Sequence, residues 1–422
     1  MKLFEPKLFT ALKGYKANDY VSDVVAGVIV AIIALPLSIA LAIASGAAPE
    51  TGLFTAIIAG FFTALLGGSK VNVTGPTAAF ATIVAGIIAT QGMDGLFLAA
   101  IMAGVLLILM GVLRVGTLIQ YIPHTITVGF TAGIAVTLAI GQLKDFLGLT
   151  YPDGVSAIET VDKLTLVFEN ISTFNPYAFG VGLLGLAVLI VWGKFFKKIP
   201  ASLIAVLVGS LVCLIPAINT NTIGSLYTIS SALPTFRFPE ITGERILALL
   251  PSAFTIALLA GIESLLSCVV SDKMINDKHN SNTELIALGM SNVLVGCFGG
   301  IPATGAIART AANVKNGGKS PLSSMVHAVV LLLVLVLLMP LASYIPMPII
   351  AAILFIVAYN MSEWREFVAI VKTKKWNDIL VLVLTFALTV VFDLVKAIAV
   401  GLAVHYAIVL VRRLIEKRKK AE

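Results

Sequence analysis

Two residues of opposite charge lie inside long apolar stretches, where they could do chemistry. Glu263 lies in LLAGIESLLSCVV, and Arg309 lies in TGAIARTAANV. A charge at the centre of a membrane span costs on the order of 3 kcal/mol on insertion scales. Arg309 would supply positive charge to an anion, and Glu263 would pair with the arginine or take up a proton. The alternative is a buried ion pair that only fixes helix packing.

Two glycine-containing segments share one pattern. GGSKVNVTGPTAAFATIVAGI covers residues 67–87, and GGIPATGAIARTAANV covers residues 299–314. Each begins with Gly-Gly and reaches Thr-Gly before an apolar run too short to cross about 30 Å of hydrocarbon. We therefore predict an extended stretch followed by a half-helix in both. The free N–H groups at the start of such a helix form a site for an anion. The alternative is a pair of ordinary Gly/Pro breaks that packing tolerates.

The composition requires that these segments lie in a membrane. Of the 422 residues, 59% are hydrophobic and 12% are charged, and the mean hydropathy is +1.02. These values exclude a water-soluble enzyme. The net charge of +7 comes from loops and a tail, so it indicates membrane topology and no nucleic-acid partner. The three cysteines, Cys213, Cys268 and Cys297, lack metal-ligand spacing, and we predict no metal site, no disulfide framework and no cofactor.

Hydropathy predicts an all-α polytopic membrane protein with fourteen spans. The first seven lie near 24–46, 51–67, 75–90, 95–113, 121–142, 176–193 and 200–218. The second seven lie near 246–271, 283–298, 304–316, 321–340, 346–361, 376–392 and 394–411. Segment 155–171 carries three acidic residues and one lysine, and we interpret it as an interfacial or extracellular helix.

The distribution of positive charge fixes the orientation. With a cytoplasmic N-terminus, 23 of the 29 lysines and arginines lie inside and five lie outside, the remaining one being Arg309. A bias of this size favours an even number of spans, with both termini in the cytoplasm. The membrane is predicted to be the plasma membrane or the inner membrane of the cell. The N-terminal twenty residues have no apolar core, so we expect no cleaved signal peptide.

Two sets of seven spans imply an inverted repeat, because an odd number of spans reverses the second half. The predicted organisation is a cytoplasmic segment (1–23), a first repeat (24–218), an extracellular linker (219–243), a second repeat (244–411) and a basic tail (412–422). The two half-helices, in spans 3 and 10, would then run in opposite directions with their N-termini facing each other.

Several of these motifs resemble the SulP anion transporters, which are related to animal solute carrier family 26. The resemblance covers residues 20 to 413 and is carried by ALPLSIALAIASG (34–46), VNVTGPTAAFA (71–81), GIESLLSCVVSD (261–272), residues 279–321 and NMSEW (360–364). The chain is most similar to the bacterial branch that contains a C4-dicarboxylic acid transporter. The resemblance implies a core domain of spans 1–4 and 8–11, a gate domain of spans 5–7 and 12–14, elevator-like alternating access and a homodimer.

The resemblance also implies a substrate site between the two half-helices. Carried over by motif, the substrate-binding residues are Pro36, Leu37, Leu41, Thr74, Gly75, Thr77, Ser267, Gly305, Ala306, Ile307 and Arg309, with Glu263 as the proton-coupling residue.

Three departures from the family pattern change these expectations. Many members have a glutamine where this chain has Leu37. Sodium-coupled bicarbonate members have an aspartate at the position of Glu263 and a threonine at that of Ile307, so we expect no sodium site. Family members usually continue into a cytoplasmic STAS domain, and this sequence stops after its basic tail.

The predicted function is secondary transport of a small anion (a C4-dicarboxylate, sulfate or bicarbonate) that is coupled to protons. The predicted partners are therefore the anion, protons and the lipid bilayer in which the protein lies. Three alternatives stay open: an anion exchanger, an uncoupled anion channel, and a nucleobase permease of the same 7+7 plan. Nucleobase permeases tend to carry acids on both spans 8 and 10, whereas span 10 here carries Arg309. His327 and His405 are interpreted as satisfied interior groups, and His124 as a residue at a span boundary.

Overall fold

The fold is all-α apart from one short pair of strands in the part of the chain that the structure describes. A computed structural model describes residues 4–117, 123–152, 157, 159–196, 199–391, 397 and 399–410. The predicted basic tail and part of segment 155–171 lie outside these residues. Within these described ranges, eight helices are long and apolar enough to cross a membrane.

The first half of the chain contains ten helices and one strand within the described residues. They are α1 (Lys7–Ala11), α2 (Ala17–Ala44), α3 (Pro49–Leu66), β1 (Thr74–Gly75), α4 (Ala81–Val112), α5 (His124–Gly141), α6 (Leu143–Leu147), α7 (Thr160–Glu169), α8 (Pro176–Phe195), α9 (Ala201–Val212) and α10 (Ile223–Leu226). A 3₁₀ turn, Ala78–Phe80, joins β1 to α4.

The second half contains eight helices and one strand within the described residues. They are α11 (Gly243–Ile275), α12 (Ser281–Cys297), β2 (Thr304–Gly305), α13 (Ile307–Lys315), α14 (Leu322–Leu338), α15 (Met347–Met361), α16 (Trp364–Lys372), α17 (Trp376–Val391) and α18 (Ala399–Leu410). The 3₁₀ segment Met339–Tyr344 joins α14 to α15.

A helix lies within each of the fourteen predicted intervals, with two differences from the sequence-based boundaries. Spans 3 and 4 form the single run α4, which is interrupted only at Gly92 (φ +69°, ψ −174°). Glycine adopts this conformation at little cost, so the chain turns there without a loop. The second difference is α16, an amphipathic helix with no buried residue between α15 and α17.

Pro36 lies inside a continuous helix, so α2 is not broken there. Proline is tolerated in a membrane helix when neighbouring groups satisfy the backbone that it frees. The chain therefore stays helical on both sides of Pro36.

The helices pack into two groups. The first group contains α2, α3, α4, α11, α12, α13 and α14, with its largest contacts between α4 and α12 and between α2 and α14. The second group contains α5, α8, α9, α15 and α17, with its largest contacts between α5 and α17 and between α8 and α15. The groups meet where α2 touches α9 and α15.

The contacts exchange the two halves of the sequence. The first helix of one half packs on the fourth segment of the other, as α2 packs on α14 and α11 packs on α4. The second helix follows the same rule, since α3 packs on α14 and α12 packs on α4. The first two helices of each half therefore pack against a helix of the other half.

The N-terminal segment docks on the loops that precede the strands. The Lys7 amide donates to the Gly67 carbonyl at 2.8 Å. The Lys7 and Lys70 ammonium groups lie 3.2 and 3.1 Å from the Asp277 carboxylate. Burial alone would raise the pKa of Asp277, but hydrogen bonds from the Lys278 amide and the two lysines lower it below its ordinary value. The loops on this face are therefore tied to one another.

Glycines allow α4 and α12 to approach closely. A Cβ on Gly289 would lie 2.5 Å from the Gly104 carbonyl oxygen, and one on Gly104 would lie 2.6 Å from the Gly289 carbonyl oxygen. Membrane helices associate through such small residues because hydrocarbon supplies no hydrophobic driving force between them.

Gly289→Val should therefore destabilise the first group of helices. Overpacking costs about 1–3 kcal/mol in well-packed cores, so we expect a lower thermal unfolding midpoint in detergent. Gly180→Val in α8 is the matched control, because a Cβ there meets nothing within 4 Å. Equal unfolding midpoints for the two variants would contradict the close approach.

Candidate functional site

The two extended segments pair with each other at the centre of the first group. β1 and β2 are antiparallel, with Thr74 opposite Gly305 and Gly75 opposite Thr304. The Ala306 amide extends the pairing by donating to the Val73 carbonyl at 2.9 Å. Because the strands are antiparallel, the chain leaves the pair in opposite directions toward α4 and α13.

Both helical segments that follow the strands begin without a capping side chain. Ala306 precedes α13 and Thr77 precedes the 3₁₀ turn, and neither side chain accepts a hydrogen bond from the first turn. The first N–H groups of a helix have no partner within it. Two such ends beside one strand pair can bind the oxygens of an anion.

The Asn72 side chain forms hydrogen bonds that connect the segment before β1 to three neighbouring helices. Its Oδ1 accepts from Ser267 Oγ at 2.7 Å and from Thr310 Oγ1 at 2.9 Å. Its Nδ2 donates to Glu284 Oε1 at 2.7 Å and to Ser264 Oγ at 3.3 Å. All five side chains are buried, so the network joins α11, α12 and α13 to the segment before β1. Ser267 thus contributes to the scaffold beneath the strands.

Glu284 is a buried carboxylate that the sequence analysis missed. Its Oε2 accepts from the Gly68 and Ser69 amides at 2.8 and 3.1 Å. Asn280 caps α12 by accepting from the Thr283 amide at 3.2 Å, which puts Glu284 in the first turn. An acid in that position usually lies on the surface, and only the polar run HNSNTE signals a different role.

Glu263 is one of the accessible residues of the site. It is partly exposed, and its Oε2 accepts from Thr77 Oγ1 at 3.2 Å. Both Glu263 and Arg309 are described by the structure, and they form no salt bridge with each other. Of the two roles predicted for Glu263, pairing with Arg309 or taking up a proton, the first is therefore not seen in this conformation. Glu263 faces the N-terminus of the 3₁₀ turn instead, because Thr77 lies next to it.

Arg309 is almost completely buried, with 1% of its surface exposed. Its Nη2 donates to the Pro76 carbonyl, while Nε and Nη1 have no hydrogen-bond partner among the described residues. The guanidinium group lies over Gly75, where a Cβ would overlap Nη1. The side chain therefore extends along β1, and its charge lies next to the backbone of Gly75 and Pro76.

Further polar groups lie buried in the same region without partners. His327 on α14 was expected to be satisfied, but neither ring nitrogen has a hydrogen-bond partner among the described residues. The Oγ1 of Thr74 and the Oγ of Ser38 are likewise unpartnered there. These side chains and Arg309 belong to α2, β1, α13 and α14 around one helix, α3.

Small residues on α3 make room for this cluster. A Cβ on Gly60 would lie 3.4 Å from both the His327 ring and the Thr74 carbonyl oxygen, and Ala56 lies beside the space next to Gly75. Gly60 and Ala56 are four residues apart and therefore share one helix face. The positive charge of Arg309 is buried here, and no salt bridge to a carboxylate exists within the described part of the chain.

The substrate-binding residues predicted from the sequence fall into two sets, one partly exposed and one buried. Those with accessible surface are Leu37, Thr77, Glu263 and Ala306, which are partly exposed, and Ile307, which is 39% exposed. Those that are buried are Pro36, Leu41, Thr74, Gly75, Ser267, Gly305 and Arg309. Pro36 lines an apolar groove against α9 and α14. Within the described residues, no group of three His, Cys, Asp or Glu side chains could hold a metal ion.

Comparison with known proteins places this arrangement in a class of membrane transporters. The family model described as "Sulfate permease family" matches residues 20–385. YvdB of Bacillus subtilis, whose name assigns it to sulfate transport, is 44% identical over 96% of this chain and 76% of its own length. The bicarbonate transporter BicA of a Picosynechococcus species is 32% identical over 86% of this chain and 65% of its own length.

Solved structures share the fold. The transmembrane domain of a cyanobacterial BicA has a TM-score of 0.80 at 30% identity and covers 91% of this chain and 98% of that domain. Murine Solute Carrier 26 family member A9, solved in an inward-facing state, has a TM-score of 0.87 at 20% identity, covering 97% of this chain and 71% of that one.

The chain belongs to the sulfate permease family, and it is a multi-pass membrane protein of a transporter family, not an enzyme. The relatives named here carry the names of sulfate and bicarbonate transporters, and none of them is named for a dicarboxylate.

Gly75→Ala should displace Arg309, because the added methyl group would occupy the position of the guanidinium group. We expect weaker anion binding together with a lower unfolding midpoint, since the displaced charge finds no other buried partner. Gly60→Ala adds the same methyl group across the cluster, with its nearest neighbours at 3.4 Å, and should unfold and bind like the parent. Parent-like binding by Gly75→Ala in isothermal titration with sulfate would contradict the placement of Arg309.

Proposed function

We propose that the chain is a secondary active transporter of a small inorganic oxyanion, with sulfate as the first candidate. The observation that carries this proposal is the antiparallel strand pair, which brings two uncapped helix N-termini together beside a buried arginine. N–H groups and a guanidinium group offer only donors, and sulfate or bicarbonate oxygens are acceptors.

The buried positive charge of Arg309 favours an anion as the transported substrate. Among the residues that the structure describes, no carboxylate lies within salt-bridge distance of its guanidinium group. A buried charge without a partner is costly, and an anion at the helix ends would lower that cost. A neutral nucleobase would not do so, which argues against a permease of that kind.

The substrate class follows from two considerations. The names of the relatives point to sulfate and bicarbonate. The accessible lining at the start of α13 is Ala306 and Ile307, and Leu37 lies on α2. These side chains supply no second positive charge for the far carboxylate of a C4-dicarboxylate. We therefore rank a C4-dicarboxylate behind sulfate and bicarbonate as a substrate and include succinate as a competitor in the uptake measurement.

Alternating access would come from movement of the first group of helices against the second. The exchange of contacts between the two halves supports fourteen segments in two inverted repeats, with the first group as the core domain and the second as the gate. The strand pair and the polar network lie wholly in the core, so the anion would travel with it. Both termini are proposed to lie in the cytoplasm, as the charge distribution predicts.

Glu263 is proposed as the coupling residue. Moving one uncompensated charge against the membrane potential costs about 2.3 kcal/mol per 100 mV. A proton carried on Glu263 would offset one charge of the anion during uptake into a negative interior. Its partial exposure and its hydrogen bond to Thr77 put the carboxylate at the helix end where the anion would bind.

Arg309→Gln should abolish most binding of sulfate, since it removes the buried charge. A loss of 1.4 kcal/mol is tenfold in affinity, and we expect at least about that. The measurement is uptake of radiolabelled sulfate into proteoliposomes, with bicarbonate and succinate as competitors. Arg245→Gln, at the exposed start of α11, is the control. Parent-like uptake by Arg309→Gln would move the site elsewhere.

Glu263→Gln should retain sulfate exchange and lose accumulation driven by an inward proton gradient, because an amide cannot carry the proton. Sulfate uptake is compared with and without the gradient, and counterflow is measured in parallel. Glu244→Gln is exposed on the same helix and should respond to the gradient as the parent does. Intact gradient-driven accumulation in Glu263→Gln would show that the coupling lies elsewhere. A linear current without accumulation in the parent would identify a channel.

A further inference from the structure

An apolar groove runs along the junction between the two groups of helices. It has a volume of about 600 Å³ and is lined by α2, α9, α14 and the segment from Met339 to Ile345. Among the described residues that line it, Ser210 and Tyr344 have polar side chains and the others are apolar. Ligand pockets of this size are common, but this one offers nothing that would hold an anion.

The groove opens toward hydrocarbon. Leu207 and Leu211 on α9 are 50% and 65% exposed, and Leu338 at the end of α14 is 49% exposed. These residues lie on or beside apolar helices of a multi-pass membrane protein. Water does not occupy a site with so few polar partners.

We propose that the groove binds one acyl chain of a membrane phospholipid. Packing is the reason, because an apolar wall without neighbouring atoms forfeits its dispersion contacts, and the nearest atoms available are those of the lipid tails. Tyr344, 56% exposed, lies at the end of the groove that the charge distribution predicts to be extracellular. An aromatic ring with a hydroxyl suits the boundary between hydrocarbon and headgroups. The chain would therefore enter from the outer leaflet.

The position of the groove separates this lipid from the general lipid shell. One wall is Pro36 and Ile39 on α2 together with α14, in the first group of helices, while the other wall is Val206 on α9, in the second. The bound chain contacts both groups and fills the space between them. This binding does not depend on which anion is transported.

The test is photolabelling in phosphatidylcholine vesicles doped with phosphatidylcholine that carries a diazirine in one acyl chain. Labelled peptides are mapped by mass spectrometry. We expect α9 and α14 to be labelled more heavily than the outward face of α8, where Ile190 is 60% exposed. Labelling that only follows exposed apolar surface would overturn the proposal.

Filling the groove provides the matched comparison. Val334→Phe on α14 narrows the groove and should lose most of the groove labelling. Val336→Phe makes the same change on the same helix at an exposed position outside the groove and should keep it. Val206→Phe narrows the groove from the α9 wall and replaces Val334→Phe if that variant does not elute as a folded protein. Unchanged labelling in a folded groove variant would overturn the proposal, whether or not the vesicles transport sulfate.

Discussion

The structure depends on one constraint, that backbone polar groups inside a membrane must be satisfied by the protein itself. A chain can leave the helical conformation in hydrocarbon only where other protein groups replace the lost hydrogen bonds. Here two extended segments satisfy each other through the pairing of Thr74 with Gly305 and of Gly75 with Thr304. Each break supplies the partner for the other, so neither half of the chain could form its break alone.

The polar network under the strands follows from the same constraint. Residues next to the strands have backbone groups that the short ladder does not reach, and buried side chains bond them. Thr310 Oγ1 accepts from the Val73 amide at 3.0 Å, and Asn313 Nδ2 donates to the Val71 carbonyl at 2.9 Å. A half-satisfied network would be worse than an apolar core. The polar residues around Asn72 are therefore explained by the broken helices.

The sequence was informative where a pattern had one physical solution. A Thr-Gly step before a short apolar run predicted an extended stretch followed by a helix in each half, and the structure has both. It was uninformative where geometry decides. The separation of Glu263 from Arg309 depends on the direction of one long side chain past Gly75, and the burial of Glu284 depends on a loop more than two hundred residues away. Spacing along the chain contains neither fact.

The helix α2 connects the proposed anion site to the edge of the first group of helices. It packs on α13, whose N-terminus forms part of the proposed site, and Pro36 and Ile39 on the same helix line the groove against α9. If the first group of helices moves against the second, as proposed, the width of that groove changes as well. If tightly packed helices formed this boundary, sliding would break many specific contacts at once, because packed interfaces resist continuous deformation. A fluid acyl chain in the groove would adjust to each position, so the apolar boundary and the rigid polar centre serve complementary purposes in one movement.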